Sequence, residues 1–157
     1  MKTDSFYDED YVTVIGDLID NEAVWSMDNY IQHANISCLE HSFYVSYVSY
    51  KICKKLSLDH MSAARGGLLH DFFLYDWHKT GLKKMHGFRH PGAALNNANT
   101  HFDLNDLEKE IIKKHMWPLT VIPPSHKEVF IVMFVDKYCT CMEIIKMGGK
   151  KLNELFQ

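Results

Sequence analysis

The chain has 157 residues, of which 46% are hydrophobic and 24% are charged, the balance of an ordinary globular protein. This length corresponds to one domain of about 150 residues, so we expect a single domain over residues 1–157. The 17 basic and 20 acidic residues give a formal net charge of −3. That charge excludes a strongly basic protein that binds nucleic-acid polymers through their phosphates.

Three further features bear on the location of the protein. The longest apolar run, Phe130 to Val135, is far shorter than the roughly 20 residues of a membrane span. The first residues, MKTDSFYDEDY, are acidic and lack the apolar core of a signal peptide. The spacing of the four cysteines in a chain of this length does not suggest a disulfide framework. We therefore expect a cytoplasmic protein with reduced thiols and no membrane partner.

The first half of the chain is predicted to be helical. Apolar spacing indicates one helix over about residues 11–24, interrupted only by Gly16. A second helix is predicted over about residues 37–56, with Val45, Val48 and Ile52 on one face. A third is predicted over about residues 59–73, with Asp59 as its N-cap.

A looser stretch, residues 74–89, precedes the next predicted helix. Pro91 is tolerated in a first helical turn, so we expect a helix from Pro91 to about residue 100. Asn105 and Glu108 have the spacing of a capping box and open a further helix, which Pro118 closes.

The last predicted helix is long. Ser125 and Glu128 repeat the capping-box spacing before an apolar run, and Gly148–Gly149 is the expected end of this helix because glycine is a frequent C-cap. No segment shows sustained strand alternation. The sequence therefore predicts an all-α fold.

Histidines and aspartates occupy the apolar faces of several of these helices. His41 precedes Val45 by four residues, and Asp136 follows Val132 by four, so both should point inward. His70-Asp71 lies within an apolar run, and His115 follows Ile111 by four residues. Burying a carboxylate costs several kcal/mol unless it forms an ion pair or binds a cation. The simpler interpretations are hydrogen-bonded core histidines and an ion pair from Asp136 to Arg65 or Arg89.

The order and sequence context of these histidines and aspartates resemble those of the metal ligands in the HD superfamily of metal-dependent phosphohydrolases. The residues concerned are His41, His70-Asp71 and Asp136. The corresponding segments are LEHSFYVSY, LLHDFF and FVDKY, with separations of 29 residues from His41 to His70 and 65 from Asp71 to Asp136. The resemblance covers about residues 37–140. It implies an HD-like helical bundle with a metal site in its core, flanked by short helical extensions.

The resemblance extends to a branch of the superfamily with a second metal. His90 in FRHPGAAL and His115 in IIKKHMW stand where that branch has additional ligands. The resemblance implies that the first ion is bound by His41, His70, Asp71 and Asp136, and the second by Asp71, His90 and His115. Such ligands suit Fe, Mn, Co, Ni or Zn, so the expected cofactors are two divalent transition-metal ions.

That branch includes the HD-GYP cyclic-dinucleotide phosphodiesterases and the symmetrical hydrolases of diadenosine tetraphosphate. The chain departs from both, because Leu74 stands where they usually have a lysine. Met116 replaces a second histidine of the HD-GYP proteins, and WPLTVIPP is not their GYP segment. The substrate of these relatives therefore cannot be assigned to this chain, which looks most like the small single-domain bacterial HD hydrolases.

The expected activity is hydrolysis of a small phosphomonoester or phosphodiester, with a nucleotide among the candidates, by metal-activated water. Arg89, next to His90, could form a forked contact to a phosphate, and Lys137 lies about 100° around its helix from Asp136. The expected catalytic residues are Asp71, Arg89 and Lys137. The expected substrate-binding residues are Arg89, Lys137, His86, His33 and Trp117.

Several alternatives remain open for these residues. Capping by Asn35 or Ser37 is the preferred interpretation near His33, and His86 would not stack on His90 if the helix begins at Pro91. The remaining expectations are that Phe72 and Phe73 lie in the core and that Lys79, Lys83 and Lys84 are ordinary surface lysines.

Two other functions are compatible with the sequence. One is a non-catalytic metal- or nucleotide-binding sensory module of HD fold, which Leu74 in place of the usual lysine leaves open. The other is a plain helical bundle with core histidines and no metal. Nothing in the sequence indicates an oligomeric state.

Overall fold

The structure is a computed structural model that describes residues 8–33, 35–79 and 85–155, with side chains up to residue 145. Within these ranges the chain forms eight α-helices, one 3-10 turn and a two-stranded sheet. The predicted helical fold is confirmed. Lys83 and Lys84 lie outside the described residues.

Three short helices replace the single predicted helix over residues 11–24. These are α1 (Glu9–Val14), α2 (Gly16–Ile19) and α3 (Glu22–Trp25). Asp8 and Asn21 cap α1 and α3 by accepting from backbone N–H groups two residues later. The prediction of one continuous helix is wrong, because the backbone leaves helical geometry at Ile15 and Asn21 then caps a new helix.

A small hairpin follows the 3-10 turn Ser26–Asn29 and was not predicted. Strand β1 (Ile31–His33) pairs antiparallel with β2 (Ile36–Ser37). Strands of three and two residues are too short to show an alternation in the sequence. Ser37 then caps the next helix by accepting from the Glu40 N–H at 3.1 Å, as preferred from the sequence.

Helices α4 (Cys38–Lys55) and α5 (His60–Leu69) pack closely against each other. A Cβ atom added at Gly67 would lie 3.0 Å from Ser46 Cα, so the two backbones approach as closely as glycine permits. Asp59 caps α5 as predicted, but the helix ends at Leu69 instead of residue 73. The chain turns there, with Phe73 N–H donating to the Asp71 carbonyl at 2.8 Å.

Helix α6 (His86–His101) begins five residues before Pro91, so the predicted start at Pro91 is wrong. Helix α7 (Asp106–Lys114) begins with the predicted capping box, in which Asn105 and Glu108 each accept from the other's backbone N–H.

Glu110, in α7, holds the chain segment that leads into the last helix. It accepts hydrogen bonds from Lys114 Nζ at 2.8 Å, from the Ser125 N–H at 2.6 Å and from His126. Burial alone would raise the pKa of Glu110, but these donors outweigh it and lower the pKa to about 2.

Helix α8 (Lys127–Leu155) is longer than predicted, since Gly148–Gly149 lies inside it. None of the described glycines has a positive φ, so this pair continues the helix instead of capping it. The carboxylate of Glu128 accepts from the Asp59 N–H at 3.1 Å and joins the starts of α8 and α5. No helix in the described part of the chain combines the length and apolar character needed to cross a membrane.

Two apolar clusters form the core. The first includes Leu68, Phe72 and Ala94, and the second includes Val45 and Val132. Phe73 is buried in the first cluster, so Phe72 and Phe73 are core residues as predicted. All four cysteines are free in this structure.

Candidate metal centre

Five helices bring six predicted ligands together in the interior. His41 lies in the first turns of α4, His70 and Asp71 directly follow α5, and His90 lies in α6. His115 is the C-cap of α7, and Asp136 lies in α8. All six residues are buried.

Three of the four imidazoles are fixed by a backbone carbonyl on their Nδ1 side. A carbonyl oxygen can only accept a hydrogen bond, so each Nδ1 carries a proton, and in the neutral ring Nε2 keeps its lone pair. The bonds join His70 to Gly67 (2.7 Å), His90 to His86 (2.9 Å) and His115 to Ile112 (2.8 Å).

His41 is held in the same way by a carboxylate. Its Nδ1 lies 2.9 Å from Glu143 Oε1, and its Nε2 lies 3.0 Å from Asp136 Oδ1. A carboxylate behind a histidine is a common second partner of metal-binding imidazoles, because it fixes the ring and raises its basicity. Glu143 follows Asp136 by seven residues on α8, a spacing that places both on one helical face.

The inward-facing nitrogens of His90 and His115 converge on Asp71. His90 Nε2 lies 3.1 Å and His115 Nε2 lies 3.5 Å from Asp71 Oδ1. The two Nε2 atoms are only 2.8 Å apart. Two imidazole lone pairs at this distance repel each other unless a proton or a metal ion lies between them.

His70 faces the other oxygen of Asp71. Its Nε2 lies 3.2 Å from Asp71 Oδ2 and 3.6 Å from Asp136 Oδ1. Within the described residues, His70 Nε2 and Asp71 Oδ1 have no partner with hydrogen-bond geometry despite these short distances. Three overlapping sets of ligand atoms, each set within 4.8 Å, are His41–His70–Asp71, His70–His115–Asp136 and Asp71–His90–His115. These buried groups could hold a metal ion.

The electrostatics of the cluster favour charged carboxylates. Burial alone would raise the pKa of Asp71, but the surrounding imidazoles, His70 first, hold it well below its usual range. Burial likewise opposes the charge of His41, but hydrogen bonds to Asp136 and Glu143 raise its pKa to about 9. Burial lowers the pKa of His115 despite its contact with Asp71. Hydrogen bonds from His41 and His70 likewise lower the pKa of Asp136 against the effect of burial, so two anionic carboxylates lie at the centre, where a cation is stabilised.

The arginine alternative for Asp136 is wrong. The chain has two arginines, and Arg65 pairs instead with Glu108 at 2.7 Å and with Asp17. Arg89 is exposed on α6. Asp136 is paired with His41 at 3.0 Å and lies 3.6 Å from His70, so imidazoles compensate its burial.

A cavity of about 420 Å³ opens onto this cluster. Its wall includes Asp71, His90, His115 and Asp136. Of the predicted substrate-binding residues, it also includes His33, His86 and Lys137.

Arg89 and Trp117 do not line this cavity. Arg89 is exposed, and Trp117 packs edge-on against Phe130 at 6.0 Å. Among the neighbouring loop residues, Lys79 forms a surface pair with Asp76 at 3.0 Å and is 86% exposed, as expected of a surface lysine.

His86 belongs to the cavity wall because α6 begins earlier than predicted. Its ring stacks on His90, with centroids 4.6 Å apart, and on Trp77, with centroids 4.8 Å apart. The expectation that His86 and His90 would not stack is therefore wrong. Burial and the neighbouring His90 lower the pKa of His86 to about 4, so this ring is neutral at pH 7.

Two polar residues of the site, Glu143 and Gln32, were not predicted from the sequence. Helical spacing from Asp136 could have identified Glu143. Gln32 lies in the hairpin and contacts Asp71 through Nε2. Its position depends on tertiary packing and has no local signal in the sequence.

Comparison of the chain with protein-family models, with characterised proteins and with solved structures gives no match. The chemistry of the site therefore follows from its own residues and distances.

Proposed function

We propose that the protein is a metal-dependent phosphohydrolase of the HD type that uses two divalent transition-metal ions. The strongest support is the inward direction of four imidazole Nε2 atoms around two carboxylates, each ring being fixed through its Nδ1 atom. A bundle of ordinary core histidines would not need two Nε2 atoms to face each other at 2.8 Å.

The two oxygens of Asp71 support its role as the ligand shared by both ions. Oδ2 lies near His70, on the side of His41 and Asp136, whereas Oδ1 lies near His90 and His115. We assign His41, His70, Asp71 and Asp136 to one ion, and Asp71, His90 and His115 to the other. Imidazole and carboxylate ligands suit Mn, Fe, Co, Ni or Zn.

The open cavity supports a catalytic site over a closed structural one, since a structural metal site has no access for substrate. Two divalent ions would acidify an attacking water and stabilise the charge of the phosphoryl oxygens. Lys137 adds a cation to the wall, where its Nζ donates to the His115 carbonyl at 3.2 Å.

Metal content and turnover together test this proposal. Protein purified without chelator and reconstituted with Mn²⁺ should bind two equivalents of metal and hydrolyse p-nitrophenyl or bis-p-nitrophenyl phosphate. Asp71→Asn should lose both properties, because Asp71 serves both ions. Asp28→Asn, which changes an exposed aspartate, is the matched control and should retain them.

The other outcomes identify the alternatives. Less than one equivalent of metal after reconstitution would indicate a plain helical bundle. Metal binding without turnover, or a rate that Asp71→Asn leaves unchanged, would indicate a non-catalytic module.

A further inference from the structure

Gln32 is a polar residue of the cavity wall that is not among the proposed metal ligands. It is the central residue of β1, and its side chain is only 7% exposed. Its neighbour Ile31 points to the opposite face of the strand and is 42% exposed. The hairpin therefore directs Gln32 inward, beside Asp71.

The contact with Asp71 fixes the orientation of the Gln32 amide. Nε2 donates to Asp71 Oδ2. The opposite orientation would place two oxygen acceptors against each other, and a charged carboxylate makes that arrangement unfavourable. Oε1 is therefore the free end of the amide.

Oε1 is buried and has no hydrogen-bond partner within the described residues. Leaving a buried amide oxygen unpaired is costly, so a partner is expected in the cavity. An amide oxygen accepts hydrogen bonds or binds a cation, and it repels phosphate oxygens. Since other residues are assigned to both proposed ions, its partner is an O–H or N–H donor. In a phosphohydrolase, a water next to Asp71 is such a donor.

We propose that Gln32 positions the attacking water, with Nε2 anchored on Asp71 and Oε1 accepting a hydrogen bond from the water. This inference rests on the proposed function. The hydrogen bond turns a lone pair of the water towards phosphorus. The water oxygen forms the new P–O bond, and the ester P–O bond breaks with its electron pair on the departing oxygen. One water proton ends on the departing alcohol and the other on the phosphate.

The test compares Gln32→Met, which has a similar volume and no amide, with Ile31→Val as the control on the same strand. Steady-state hydrolysis of bis-p-nitrophenyl phosphate with Mn²⁺ gives kcat and KM. Mn²⁺ affinity and inhibition by inorganic phosphate are measured separately. Gln32→Met should lower kcat about 100-fold, the cost of a misplaced reactant, with Mn²⁺ affinity and phosphate inhibition unchanged. Ile31→Val should match the unsubstituted protein.

An unchanged kcat in Gln32→Met would overturn the inference. A parallel fall in Mn²⁺ affinity would also overturn it, because Gln32 would then act only by orienting Asp71. If Gln32→Met does not fold, Gln32→Asn decides by the same criteria, since its shorter amide cannot reach both partners. Absence of turnover in the unsubstituted protein overturns the proposed function and this role together, whereas turnover that is insensitive to Gln32 overturns this role alone.

Discussion

Replacing Glu143 tests whether the carboxylate behind His41 supports metal binding. Glu143 Oε1 lies 2.9 Å from His41 Nδ1, a charge-assisted hydrogen bond in a site that is largely closed to solvent. Loss of such a partner typically lowers metal affinity 10- to 100-fold, or about 1.4–2.7 kcal/mol. Glu143→Gln keeps an acceptor but loses the charge, so we expect about a tenfold loss. Glu143→Ala removes the acceptor as well, so we expect about a hundredfold loss.

Titration calorimetry of the metal-free protein with Mn²⁺ measures these affinities. Glu40→Gln is the matched control, because Glu40 lines the same small surface cavity as Glu143 but is exposed. Its affinity should equal that of the unsubstituted protein. Unchanged Mn²⁺ affinity in both Glu143→Gln and Glu143→Ala would show that the hydrogen bond to His41 Nδ1 does not support metal binding. The assignment of His41 to the first ion would then be wrong.

Three further predictions concern the second ion, the α7–α8 connection and the α4–α5 contact. His90→Ala and His115→Ala should each lose one equivalent of metal and retain the other, as measured by elemental analysis; loss of both ions would argue against distinct sites. Glu110→Gln should destabilise the protein by about 1–3 kcal/mol at pH 7, as measured by urea unfolding. The lowered pKa of Glu110 adds stability above pH 4.5, and this contribution disappears as the pH falls towards 2. Equal stability of the two proteins at pH 7 would refute this. Gly67→Ala should lower the free energy of unfolding by about 1–3 kcal/mol, because the added Cβ overpacks the contact with α4. Gly92→Ala has open space around its Cβ and should be neutral or stabilising. Equal melting temperatures of the two variants in thermal unfolding would contradict this.

The sequence predicted the helices whose ends carry local signals. Asp59 and the pair Asn105–Glu108 cap α5 and α7 as expected, because capping depends on residues three positions apart. Other local signals did not decide the structure. Glu128 accepts from the Asp59 N–H at the start of another helix, and Gly148–Gly149 continues α8.

The inward position of the candidate ligands was also predictable, because burying a histidine or aspartate on an apolar helical face is costly. Asp136 is an example, since its spacing from Val132 placed it inward before its partners were known. Lys137 could be placed at the cavity by the same helical geometry. Gln32 could not, because the position of a short hairpin depends on what packs beneath it.

The arrangement of the candidate ligands around Asp71 is the physical reason to expect separable metal binding, because the apolar core does not divide along the same line. Ile111, one turn before His115, belongs to one apolar cluster. Ala94, one turn from His90, belongs to the other. A substitution at His90 or His115 should therefore remove a nitrogen that faces Asp71 Oδ1 and leave His70 beside Oδ2. Asp71 lies between the two sets of ligands and presents one oxygen to each, so its replacement alone should remove both ions.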